Sequence, residues 1–249
     1  MSTISATLCL VALSALLVSI SAISNASKKV GISTTTSGSS VGLDRIMTKK
    51  YDWELDEAAT IRRNAFKIPP AKLIARAKEC INSDLLNEDD FAEDFVFQFP
   101  VVGPLSKSEY LKAVGGFQIK TMFPDMNLGI HNFHVDPLSP NRVWYTVRFS
   151  ATNSEDGPFG KATDIQVDCP PQTNSLTFNE QGLITKYTGG YVVDKDVGNS
   201  GGMGGLFGPL YAIGKAFPFP EAQPYKKTWQ FKAFNFVSGI AQKAAAAKK

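Results

Sequence analysis

The chain has 249 residues, 43% hydrophobic and 20% charged, the proportions of a folded protein with a substantial core. Its formal charge of +3 comes from its ends, because residues 51–240 carry 18 basic against 22 acidic side chains. That balance excludes the dense cationic stripe of a nucleic-acid-binding surface, and the cysteines at 9, 80 and 169 have neither zinc-site nor CxxC spacing.

Residues 1–26 read as a signal peptide: Leu8 to Ile20 is apolar but short and rich in Ser and Ala, with small residues Ala22, Ser24 and Ala26 behind it. A retained anchor is the competing reading. Residues 27–43 are basic, free of acids and rich in Ser and Thr, a composition that builds no core. They serve either as a disordered linker or as the second part of a targeting sequence, which this stretch resembles in its plastid-directed form. The chain is thus expected to enter the secretory route, ending outside the cell or in a plastid.

The body spans residues 44–195. An approximate apolar stripe predicts a helix from Tyr51 to Phe66, closed by Pro69 and Pro70. Leu73, Ile74, Ala77, Cys80 and Ile81 predict a second helix starting at Pro70. Cys80 belongs to that core stripe, and the core is large enough that Cys80 and Cys169 are expected as ordinary thiols, although a disulfide after export stays open. Phe95, Phe97 and Phe99 alternate as one face of a strand, and Ser106 to Glu109 is a capping box with Leu105 and Tyr110 as its staple. Short helices follow at Lys107–Val114 and Phe117–Met122.

The remainder of the body reads as sheet. Leu128 to Asp136 places Ile130, Asn132, His134 and Asp136 on one face, opposite His131, Phe133 and Val135. Arg142 to Ala151 alternates Val143, Tyr145, Val147 and Phe149 against Trp144, Thr146, Arg148 and Ser150. Lys161 to Val167 is a weak edge strand. Gln172 to Asp194 is a hairpin turning at Asn179–Gly182, with Tyr187, Gly189 and Tyr191 on one face of its return strand. Helices followed by strands predict an α+β fold with a curved antiparallel sheet.

Residues 196–249 form an extension rich in Gly, Pro and aromatic residues, without the spacing of a nucleotide-binding loop. Leu206, Phe207, Leu210, Tyr211, Phe217 and Phe219 are expected to cover the barrel or its entrance; the alternative is contact with a membrane or a partner through 197–224. Trp229 to Ile240 is a final strand or helix.

The strings DDFAEDFVFQFP at 89–100, GPLSKSEYLKAV at 103–114, FPDM at 123–126, the strand around Arg142 to Phe149, and SLTFNEQGLITKYTGGYVVD at 175–194 together resemble, in order and spacing, the SnoaL-like branch of the nuclear-transport-factor-2-like superfamily. The resemblance implies a cone-shaped bent sheet covered by helices, a hydrophobic small-molecule ligand, isomerase or cyclase proton transfer in some relatives, and dimerisation across the sheet. From the residues themselves, with His131 and His134 on opposite strand faces, no metal or cofactor is expected. The position of the family's catalytic His–Trp pair holds Tyr187 and Thr188 here, with Asp194 closing the strand.

The candidate catalytic groups are Asp194 and a His134–Asp136 pair sharing one strand face. The candidate ligand-binding groups are Tyr145, Tyr187 and Tyr191 if the cavity takes the Tyr145 face, Arg148 if it takes the other, and Asp90 at the rim. The functional expectation is a binding protein for a hydrophobic small molecule with isomerase- or cyclase-type chemistry. The alternative is a noncatalytic interaction or membrane-complex protein.

Overall fold

The computed structural model describes residues 53–246, so the leader and linker read from residues 1–43 lie outside the described residues. Helix α1 (Glu57–Arg63) is shorter than the apolar stripe suggested, because Asp56 caps it, accepting from the Ala59 N–H at 3.0 Å, and Asn64 ends it. Helix α2 (Pro70–Asn82) begins with proline, where the missing N–H is needed by no intrahelical bond. Its Leu73, Ala77, Cys80 and Ile81 are buried, so the periodic stripe faces the sheet.

Asp84 and Leu85, both at positive φ, reverse the chain into strand β1 (Phe91–Gln98). Phe91, Phe95, Phe97 and the adjoining Phe99 point inward. The short β2 (Leu105–Ser106) leads into α3 (Lys107–Gly115) through the expected capping box: the Glu109 carboxylate accepts from the Ser106 N–H at 2.9 Å and from its Oγ at 2.7 Å. Those bonds hold the exposed Glu109 below the usual carboxylate range. A single turn of helix, α4 (Ile119–Met122), follows.

Strands β3 (His131–Val135), β4 (Arg142–Val147), β7 (Gln172–Phe178) and β8 (Ile184–Val192) join β1 and β2 in a six-stranded sheet ordered β2-β1-β8-β7-β4-β3. The sheet is antiparallel as expected except where β1 lies parallel to β8. Strands β5 (Ser150–Thr152) and β6 (Gln166–Asp168) prolong β4 and β7 beyond a bend at residues 148–149 and 169–171. Across that bend the Cys169 N–H still donates to the Phe149 carbonyl at 2.8 Å, so the ladder turns without breaking. Helix α3 packs on β1 and β2, and α2 on β3 and β4, so both cover one face of the curved sheet and enclose an aromatic core. The α+β class and the bent sheet beneath the preceding helices are those expected. Cys80 and Cys169 are buried, unpaired thiols.

One buried ion pair ties three parts of this shell. Arg76 of α2 donates through Nη2 to Asp90 at 2.7 Å and through Nε to the Gly182 carbonyl, in the β7–β8 turn, at 3.0 Å. The second Asp90 oxygen accepts from Ser83 Oγ at 2.8 Å. Every oxygen of this buried acid is therefore engaged, as a charge removed from water requires. Asp90, expected at the rim of a ligand site, is instead a structural clasp. Asp90→Ala should lower the unfolding free energy by about 2 to 3 kcal/mol in chemical denaturation, because it strands a half-buried guanidinium. Glu180→Ala, which breaks the exposed Lys67–Glu180 pair, should change it by less than about 1 kcal/mol.

Candidate functional site: three buried phenols

The inner face of the sheet brings Tyr145 of β4 and Tyr187 of β8 against Tyr110 of α3, each at most 1% exposed. The rings of Tyr110 and Tyr187 meet edge to face at 6.3 Å, and Phe91, Phe95, Phe97 and Phe99 pack around them. Phe133 stacks on Tyr145 from the β3 side at 5.5 Å. None of the three hydroxyls has a hydrogen-bond partner. The Tyr145 and Tyr187 hydroxyls share a weak mutual contact that lowers the pKa of Tyr145 and raises that of Tyr187, short of full hydrogen-bond geometry.

Burial pushes the pKa of all three phenols above the ordinary range, and for Tyr110 and Tyr187 the neighbouring phenols push the same way. Cys80, also close to Tyr145, is raised to about 12, chiefly by burial. Near neutral pH the interior therefore offers neutral O–H donors and a protonated thiol. Among the described residues the buried acid is Asp90, and it is committed to Arg76 and Ser83.

A β-bulge decides which tyrosines enter. The pairing of β7 with β8 shifts register between Ser175–Thr188 and Thr173–Tyr191, so Gly189 and Gly190 together oppose Asn174. The Asn174 carboxamide oxygen accepts from the Gly190 N–H at 3.1 Å, and a Cβ on Gly189 would overlap that oxygen at 1.8 Å. Gly190 takes φ +76°, where a side chain would be strained and would strike the Phe99 ring. Beyond the bulge Tyr191 faces outward and is exposed, although simple alternation placed it with Tyr187.

The remaining sequence candidates stand apart from the phenols. Asp194 is exposed beyond the end of β8, its carboxylate accepting from the Asp196 N–H. The His134–Asp136 pair does not form. A bulge at Asn132, φ +59°, distorts β3, and His134 is exposed with Nδ1 3.1 Å from the Asn132 carbonyl. Asp136 accepts instead from Trp144 Nε1 at 2.9 Å and from the Leu138 and Ser139 amides. Its partial burial raises the pKa, but these bonds outweigh that and leave it below the carboxylate range, a poor base. Arg148 is exposed on the bend.

On the outer face Arg142, not Arg148, is the organised cation. It donates to Ser175 Oγ at 2.9 Å and Thr188 Oγ1 at 3.0 Å and lies 3.7 Å over the Trp144 ring, and partial burial lowers its pKa. With Tyr191, Thr173 and Gln98 it lines an open groove of about 400 Å³.

The extension packs over the sheet beside Phe99 and Gly190. Leu206, Leu210 and Ile213, in and beside α5 (Phe207–Ala212), are buried, and Phe217 stacks on Phe219. Gly205 donates to Gln172 Oε1 at 2.8 Å, and Gly204 lies so close to the Gly190 carbonyl that no Cβ would fit. The large apolar side chains of 197–224 thus turn mainly inward, contrary to the expected alternative of membrane or partner contact through that stretch. Between cap and sheet lies a pocket of about 120 Å³ lined by Phe99, Gly190, Met203, Leu206 and Phe207. Phe99 borders both this pocket and Tyr187. Tyr110, Phe99, Gln172 and Arg142 were not singled out as site residues from the sequence. Tyr110 carried a local signal as the staple residue of the capping box.

Two outcomes follow from donors buried without partners. Tyr110→Phe should leave the melting temperature of the empty protein unchanged or raise it by a few degrees, since the lost hydroxyl made no bond, and Tyr145→Phe and Tyr187→Phe, which give up only their weak mutual contact, should change it little. Stability should also fall with rising pH, from about pH 9 through the thiols and more steeply from about pH 10 through the phenols. The unfolded chain releases those protons at ordinary pKa values while the folded one retains them, so unfolding becomes more favourable. Tyr187→Phe should flatten that alkaline limb, measured by denaturation at stepped pH.

No family model matches the chain, and no curated protein matches it. Similar solved structures include AclR of Streptomyces galilaeus, assigned as a hydroxylase, at 16% identity and TM-score 0.39, covering 64% of this chain and 96% of that one. IdmH of Streptomyces antibioticus, assigned as a polyketide cyclase, is similar at 17% identity and TM-score 0.39, covering 58% and 97%. A SnoaL-like protein of Jannaschia sp. CCS1, assigned as a polyketide cyclase, is similar at 10% identity and TM-score 0.38, covering 48% and 85%. The chemistry of the site rests on this chain's own residues.

Proposed function

We propose that this protein binds a small hydrophobic molecule by its carbonyl oxygen, using the hydroxyls of Tyr110, Tyr145 and Tyr187. The observation that carries the reading is the three buried phenols with no internal partner. A protein interior seldom holds one such group, and a carbonyl oxygen, with two lone pairs, can accept from two of them. Neutral O–H donors held in an aromatic, water-poor interior also suit an oxygen that gains charge, so enolate-stabilising isomerase or cyclase chemistry is the activity this donor set serves. Asp194, His134 and Asp136 stand outside the interior and do not supply its base.

The pocket under the cap is the way in. Phe99, the ring shared by pocket and phenols, is packed against Gly190 and moves aside toward the pocket for the ligand. The size of the pocket fits a compact aromatic or alicyclic ketone. Acetophenone titrated into the protein should bind, with its carbonyl stretch shifted to lower wavenumber by hydrogen bonding. Tyr187→Phe should weaken binding about tenfold and diminish the shift, and Phe99→Ala should tighten it, because no ring then has to be displaced from its packing. An unshifted carbonyl band, or equal affinity for Tyr187→Phe and the unaltered protein, sinks the reading.

A further inference from the structure

We propose that α6 (Trp229–Ala246) is a surface anchor that docks the protein on membranes carrying anionic lipid headgroups. The observation is an unpartnered helix whose composition reverses that of the body. Residues 51–221 hold 15 basic and 22 acidic side chains, whereas residues 222–249 hold six lysines and no acid. The described side chains from Tyr225 to Val237 are all exposed, among them Trp229, Phe231, Phe234, Phe236 and Val237, and Ile240 is 54% exposed. Water-facing aromatics at this density on a folded chain mark a docking surface.

The arrangement along the helix identifies the occupant. At the α-helical repeat, Phe236, Trp229, Ile240, Ala233, Val237 and Phe234 fall within an arc of about 160°. Gln230 interrupts the arc and Phe231 lies outside it. Lys232 borders the arc beside Phe236, and Lys226 and Lys227 precede the helix between Tyr225 and Trp229. A lysine at the edge of an apolar arc places its methylene stem along the acyl boundary and its ammonium among headgroups, while Trp and Tyr settle at the same depth. Uncompensated lysines select an anionic surface, and the acidic body is turned away from it by the same field. Among the described residues no helix is long and apolar enough to cross a membrane, so α6 lies in the interface.

Full-length protein is mixed with vesicles of phosphatidylcholine alone and with vesicles in which about a third of the lipid is phosphatidylglycerol, then sedimented. Binding is expected to the anionic vesicles only, with a blue shift of Trp229 emission and release by added salt. Because residues 8–20 are themselves apolar, the deciding comparison is between full-length chains that differ only in α6. The Trp229→Glu, Phe236→Glu, Ile240→Glu variant should lose binding. The Lys226→Gln, Lys227→Gln, Lys232→Gln variant should bind anionic vesicles about a hundredfold more weakly. Unchanged melting temperatures show that the body is intact in both variants. Equal binding to neutral vesicles, or unaltered binding by the glutamate variant, overturns the proposal. Concentration-dependent dimers that the glutamate variant abolishes, without vesicle binding, also overturn it and assign the helix to a second copy of the chain.

Discussion

The bulge at Gly189–Gly190 is the constraint on which the rest of the molecule depends. Two consecutive residues without side chains face one asparagine, whose carboxamide occupies the space that a Cβ at 189 would need. The extra residue reverses the facing of everything beyond it, so Tyr187 is sealed inside while Tyr191 emerges on the outer groove. Gly190 lets the Phe99 ring, and Gly204 lets the backbone of the extension, approach the strand at distances that a side chain would prevent. The bulge thereby fixes the composition of the interior, the position of its gate and the seat of its cap.

The interior that results is unusual in its electrostatics. Most proteins pair a buried hydroxyl with a carbonyl or an ordered water, because desolvating a polar group without replacing its bonds costs free energy. Here three phenols share one aromatic enclosure, and the groups that could have ionised near neutrality are kept elsewhere. Asp90 is consumed by the Arg76 clasp, Asp136 by Trp144 and the turn after β3, and both histidines are exposed. This separation of donors inside from bases outside is what the proposed binding of a carbonyl oxygen rests on.

Charge is partitioned along the chain as well. An acidic body ends in a lysine-rich aromatic helix that shares no sizeable packing with it among the described residues. The inner site would take its ligand from beneath the α5 cap, on the same extension that leads into α6. A hydrophobic ligand held in a bilayer and a protein resting on that bilayer are compatible partners, since each apolar surface avoids water by the same route.

Periodicity alone determined the α+β class, the buried stripe of α2, the inward Phe95–Phe97–Phe99 row, the capping box of α3 and the Asn179–Gly182 turn. Each of these is decided by residues within one or two turns or strand steps of one another. Alternation failed at Tyr191 and at His131, where one added residue per bulge flips the facing and leaves no trace in the period. The tertiary structure alone decided that residues 110, 145 and 187 would share an enclosure, that Asp90 would be spent on Arg76, and that Arg142 would be the organised cation. Those meetings join segments up to 77 positions apart through sheet order and helix packing, and the pattern of a sequence records which face a residue prefers but not which distant residue will face it.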